Sequence, residues 1–235
     1  LKIKTIKYQP IYIILCFVFN ASVLLAQTEK KLVVFYPVFE NSKLQIDSTY
    51  KLQGGDSIQI EVLRFYISGI EFSQNGKKIW KEKNSYHLID LAQKESLTIA
   101  LNLPTNFAFT QLKFNLGIDS VTNVSGAMGG DLDPTKGMYW AWQSGYINFK
   151  LEGKSNLCKT RNNEFQFHLG GYQYPFNNLQ TVFIDVLPNH NIDLEIDIQK
   201  IITDINLSQH HHIMSPCAEA INLSETVIRS LSIKK

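Results

Sequence analysis

The chain has 235 residues, with 23 Lys and Arg against 21 Asp and Glu, and 44% of it is hydrophobic. That length and apolar share suit one β-rich domain with a substantial core. Lys2, Lys4 and Lys7 precede the first acid, Glu29, so setting residues 1–26 aside leaves 20 basic residues against 21 acidic ones. No basic stripe remains to bind nucleic acid.

Residues 1–26 read as a secretory signal peptide. The three lysines are its basic part, Ile11 to Phe19 and Val23 to Ala26 are apolar, and cleavage after Ala26 makes Gln27 the first mature residue. The apolar part is short of the roughly 20 residues that cross a bilayer. Cys16 sits inside the apolar run with no small residue before it, which argues against lipidation. The expectation is a single domain over 27–235, in the periplasm, at the cell surface or secreted, with no stable membrane span. Cys158 and Cys217 remain. In an oxidising compartment the pair reads as one disulfide, the alternative being two buried free thiols.

From there the segments read as strands. Lys31 to Phe39 is β-branched and aromatic. Ser57 to Phe72 alternates with a change of phase near Leu63–Arg64, which predicts a bulged long strand or two strands. Gly69 marks a second irregularity. Asn75–Gly76 predicts a hairpin turn. Tyr86 to Leu91, Leu97 to Leu101 and Gln111 to Leu116 are further short strands. Val121 to Lys136 is rich in Gly, Asn, Ser and Asp and reads as a long ordered loop. Met138 to Glu152 is aromatic and alternating. Glu164 to Leu169, Thr181 to Val186 and Asn191 to Ile198 are strands, Lys200 to Ile205 is strand or short helix, and the tail after Pro216 has weak helical periodicity. The predicted fold is all-β, a single-domain antiparallel β-sandwich.

Four constellations carry candidate chemistry. In Gly137 to Tyr146, a continuous strand puts Trp140 and Trp142 on one face. That slab reads as core, or as a stacking platform for carbohydrate if exposed. In Phe165 to Gly171, His168 shares a face with Gln166, opposite Phe165, Phe167 and Leu169. It reads as a hydrogen-bonded structural residue or a metal ligand. His210, His211 and His212 offer imidazoles to copper, zinc or nickel. An extended run turns His211 away from the other two, and the alternative is a solvated loop. Asp119, Asp131 and Asp133 offer oxygens to calcium, but their spacing fits no twelve-residue calcium loop and Asp before Pro is common in turns. No nucleophile elbow or phosphate loop is present, so an enzyme is not expected.

Several of these segments together resemble the MbnP-like family of exported, copper-associated bacterial proteins, linked in some members to methanobactin systems. The matching pieces are Leu63 to Ser68, Tyr86 to Asp90, Phe114 to Asp119, Leu132 to Pro134, Gly137 to Tyr146, Lys150 to Gly153, His168 to Gly171 and, more loosely, Met214 to Pro216. The Trp-x-Trp segment with the downstream His-Leu-Gly-Gly is the most specific part. The resemblance implies a compact β-sandwich with a role near copper, and the leading expectation is a copper-binding or copper-delivery protein that is not itself an enzyme. In related proteins Cu(I) is held by histidines and a kynurenine, made from tryptophan by a dihaem MauG-like partner. It carries that role to Trp140 or Trp142 and to His168. His210 to His212 are added on chemical grounds alone. No histidine stands within three residues of either tryptophan, unlike some copper-binding relatives. A structural or ligand-binding sandwich without metal is the alternative.

Overall fold

The computed structural model describes residues 28–187 and 191–234. The signal-peptide reading of residues 1–26 lies outside them. The elements run in chain order as β1 (Thr28–Phe39), β2 (Ser42–Lys43), β3 (Thr49–Lys51), β4 (Ser57–Gln74), β5 (Lys77–Lys81), β6 (Tyr86–Asp90), β7 (Thr98–Pro104), β8 (Gln111–Leu116) and α1 (Ser120–Val124). Then come β9 (Tyr139–Trp140), β10 (Gly145–Ser155), β11 (Glu164–Gly170), β12 (Gln180–Asp185), β13 (Ile192–Asp197), α2 (Ile198–Thr203), β14 (His212–Ile213), α3 (Ala218–Arg229) and β15 (Leu231–Ile233).

Two sheets share one core. The smaller runs β15-β13-β1-β2, with β7 also paired to β1; the larger runs β12-β8-β4-β10-β11-β14, with β3, β5 and β6 on β4 and β9 on β10. Phe35 of β1 meets Phe65 and Phe114 of the larger sheet edge-on, with ring centroids 5.5 and 6.3 Å apart. The sheets are mixed, which corrects the antiparallel expectation. β1 pairs with β13 in parallel, and so does β11 with β14. The alternation in Asn191 to Ile198 gives a strand but not its partner, and the parallel partner is more than 150 residues away in the chain.

β4 forms one long strand with two bulges. Val62 pairs with Glu152 and Ile60 with Gly153, so Glu61 is the extra residue. That explains the change of phase: Ile58, Ile60, Leu63, Phe65 and Ile67 all reach the core. The second bulge holds Gly69 and Ile70 opposite Phe114, with Gly69 at φ +60°. The Asn75–Gly76 hairpin forms as expected, both residues having positive φ.

Two further expectations fail. Met138 to Glu152 is not one strand: β9 ends at Trp140, and Ala141 to Ser144 form the turn that leads back into β10. The Cys158–Cys217 disulfide is also absent, both thiols being free. Cys158 lies at the tip of the β10–β11 hairpin, its N–H donating to Ser155 O. Pro216, next to Cys217, lies against Gly171 at the other end of β11. Those ends are about 20 Å apart at ~3.3 Å per residue, whereas a bridge needs Cα atoms within about 7 Å. Burial pushes both thiols up.

The outer face of the larger sheet carries a second, smaller core of Tyr66, Leu88, Ile118, Leu132, Met138, Trp140, Tyr146 and Ile147. This pins the segment read as a loop, which in fact begins within α1 and carries two short 3-10 turns at Gly130–Leu132 and Pro134–Lys136. Tyr66 Oη donates to Asp131 O at 2.9 Å, Tyr146 Oη donates to Leu132 O at 3.1 Å and accepts from Met128 N–H at 3.0 Å, and Leu88 N–H donates to Asp131 Oδ2 at 3.1 Å. Buried tyrosines supply the partners that a coil lacking ladder bonds needs.

Candidate functional site

The site grows out of β11. Strand alternation sends Phe165, Phe167 and Leu169 into the main core, and Gln166, His168 and Gly170 to the outer face. His168 is nonetheless only 6% exposed. Its neighbour across the ladder is Lys150, and Gln166 faces Glu152. His168 Nε2 lies 2.5 Å from Glu152 Oε1, and Lys150 Nζ lies 3.3 Å from the same oxygen. Lys150 Nζ also donates to Gly137 O at 3.3 Å. The bond from His168, ahead of the opposing effect of burial, holds the Glu152 carboxyl below the usual range, with Lys150 acting in the same direction.

Gly170 seats Trp140. A Cβ on Gly170 would lie 2.7 Å from Trp140 Cζ3, so the indole rests directly on the strand. His168 is the preceding outward position, about 7 Å along the strand. Trp140 is 5% exposed and Trp142 67%. The turn lifts Trp142 out of the strand, so the shared strand face expected from alternation does not exist. The rings still meet, with centroids 5.8 Å apart and planes at 43°. With Trp140 buried, the pair forms no open stacking platform.

Two ring nitrogens here have nothing to bond. Trp140 Nε1 and His168 Nδ1 are both buried without a hydrogen-bond partner among the described residues. An unpaired buried polar atom costs about 1–3 kcal/mol.

The histidine run lies at the sheet edge. His212 pairs with Gln166, and Gln166 N–H donates to His211 O at 2.9 Å. Alternation therefore puts His212 on the face of Gln166 and His168, and His211 on the other. His211 is half-buried with Nδ1 unpaired, while His210 and His212 are exposed. All three border a cleft with Met214, Cys217 and Glu219 that His168 does not line. The structure thus does not gather His168, His210, His211 and His212 into one cluster. Among the described residues, no three His, Cys, Asp or Glu side chains come together as a metal site.

The acidic side chains proposed for calcium are engaged locally. Asp119 caps α1 by accepting from Thr122 N–H at 2.9 Å, and also accepts from Tyr86 Oη at 3.1 Å. Asp133 accepts from Thr135 N–H at 2.9 Å, and Asp131 holds Lys136 at 2.7 Å.

A family model for MbnP matches residues 30–217. The chain belongs to the MbnP family. The match spans both sheets, the Trp140 hairpin and the histidine run. The solved structure of MbnP from Methylosinus trichosporium aligns with a TM-score of 0.57 at 16% identity, covering 77% of this chain and 80% of that one. At that identity the likeness is one of fold. A search of curated proteins returned no match.

Sequence reasoning missed Glu152 as the partner of His168. Its signal was present in the spacing: Lys150 and Glu152 alternate with buried Leu151, as Gln166 and His168 alternate with buried Phe167. Only the ladder register joins the two rows. Met214 entered only through the loose match of Met214 to Pro216, with no role assigned. It lies between Ile213, paired with Phe167, and Pro216, packed on Gly171, so its backbone passes beside His168.

Proposed function

We propose that this protein is an exported copper-binding protein, not itself an enzyme, with its copper site on the outer face of β11. His168 supplies one donor. Trp140 supplies the second after a peroxide-level oxidant, delivered by a partner enzyme, cleaves the indole C2–C3 bond and water releases the C2 carbon as formate, leaving a kynurenine whose aniline nitrogen and carbonyl are ligands that tryptophan lacks. The observation that carries the reading is the pair of buried, unpartnered nitrogens: His168 Nδ1 on β11, and Trp140 Nε1 on the indole that β9 seats over Gly170, the next outward position of β11. Buried polar atoms without partners are uncommon and call for a physical explanation, a bound ion or a redox role among them. A low-coordinate Cu(I) ion suits soft or borderline donors in a dry surround. The smaller core around Trp140 supplies that surround.

Membership of the MbnP family supports copper association. Export is supported by the charge and apolar pattern of residues 1–26, and among the described residues no helix is long and apolar enough to cross a membrane. The oxidant is assigned to a dihaem partner of the MauG-like class. It would meet Trp142 first, since Trp142 is exposed and its ring touches that of Trp140. His210 to His212 are a secondary, edge-located contribution. A metal-free structural sandwich explains why Trp140 is buried but leaves both nitrogens unexplained.

The test is a Cu(I) titration of mature protein against a competing chelator. His168→Ala and Trp140→Phe should each weaken binding at least tenfold, and replacing His210 to His212 with alanine should weaken it less. Equal affinity in all four proteins would sink the proposal. An intact mass from the native host should show the tryptophan-to-kynurenine shift, which Trp140→Phe abolishes.

A further inference from the structure

We infer that Glu152 fixes the tautomer of His168, keeping the ring proton on Nε2 and leaving the lone pair of Nδ1 as the free donor. This makes Glu152 a positioning residue, and the role assigned to Nδ1 rests on the copper reading above.

Three proton arrangements are open to the ring. With the proton on Nδ1 alone, the Nε2 lone pair would face a carboxylate oxygen at 2.5 Å, and two acceptors repel at that distance. Nδ1–H would also be a buried donor with no acceptor. With both nitrogens protonated, Glu152 is satisfied, but a charged N–H is left buried and unpaired, which costs more than a neutral one. With the proton on Nε2 alone, the bond to Glu152 is made and only an acceptor lone pair stays unused. Lys150 Nζ shares the Glu152 Oε1 atom with His168 Nε2, and across the next ladder the exposed His212 stands opposite Gln166 rather than His168. A carboxylate behind a histidine is also what orients an imidazole toward a metal.

The experiment is nitrogen NMR of the histidine rings in metal-free, uniformly labelled mature protein at neutral pH, with His168→Gln used to assign the signals. The wild type should show a protonated Nε2 and an unprotonated Nδ1 at His168. Glu152→Leu, checked for folding by circular dichroism, should lose that pattern to a mixture of tautomers. Glu152→Gln, which can still accept one bond, should retain it in part and serves if the leucine variant does not fold. A protonated Nδ1 in the wild type, or a pattern that neither substitution changes, would overturn the inference. A Cu(I) titration separates the two readings. If Glu152 positions the ligand, Glu152→Leu should weaken binding about 10–100-fold. If the tautomer is as assigned but His168→Ala binds copper normally, the copper reading fails and the tautomer assignment stands.

Discussion

Gly170→Ala is the sharpest test of how the site is built. A Cβ at this position lies 2.7 Å from Trp140 Cζ3, 3.0 Å from Trp140 Cη2 and 2.7 Å from Tyr146 O. Carbon contacts are favourable only from about 3.5 Å. The carbonyl belongs to β10 and cannot rotate away. The indole is wedged into the smaller core and cannot swing without opening it. Overpacking of this kind costs about 1–3 kcal/mol, and three simultaneous clashes place Gly170→Ala toward the upper end, near ~2.5 kcal/mol. Alanine recovers roughly 0.5–1 kcal/mol because glycine loses more backbone entropy on folding. The net expectation is a loss of about 2 kcal/mol. In urea, with an m-value of about 2–3 kcal/mol/M, the midpoint should fall by roughly 0.7–1 M at unchanged m. Trp140→Leu removes two of the three clashes, so Gly170→Ala should cost at least ~0.5 kcal/mol less in that background, a coupling resolved by a double-mutant cycle. A cost below ~0.5 kcal/mol in the wild type, or no coupling to residue 140, would refute the packing of Trp140 on Gly170.

Gly153→Ala should be more severe, since its Cβ would lie 2.0 Å from Gln59 O inside the β4–β10 ladder; a loss above ~3 kcal/mol, read by urea denaturation, is expected. The two tryptophans should separate cleanly in thermal or urea melts: Trp140→Ala costs about 3–5 kcal/mol, whereas the exposed Trp142→Ala stays within about 0.5 kcal/mol of wild type. Asp119→Ala should cost about 1 kcal/mol at neutral pH as α1 loses its cap. Burial pushes the Asp119 carboxyl up, but bonds from Thr122 and Tyr86 outweigh it and hold it below 3.8. The contribution is therefore complete above about 3.8 and lost as pH falls through the lower folded value. The gap between wild type and Asp119→Ala should close in acid, and a gap constant down to pH ~2 would contradict the assigned bonds.

Local rules were legible wherever a residue's neighbours in the chain decide its state. The bulge in β4 showed as a broken alternation, Gly69 as an irregularity, Asn75–Gly76 as a turn, and His168 as facing away from Phe165, Phe167 and Leu169. The family itself was readable from short segments in order. The site was legible only as separate pieces. His168 and Trp140 were named, but alternation wrongly extended the strand through Trp142, because periodicity does not register a four-residue turn made of aromatic and polar residues. The disulfide was expected from cysteine count and compartment, which carry no distances.

The sequence by itself therefore determined the strands, their inward and outward faces, the turn signals and the residue types from which a copper site can be made. These follow from contacts between residues one to four apart. Tertiary structure alone decided which faces meet: that Glu152 reaches His168, that Gly170 seats Trp140, that β13 pairs in parallel with β1 and β14 with β11, and that Cys158 and Cys217 stand at opposite ends of β11. Such pairings depend on ladder register between distant segments. A shift of one residue would turn each of these side chains to the other face.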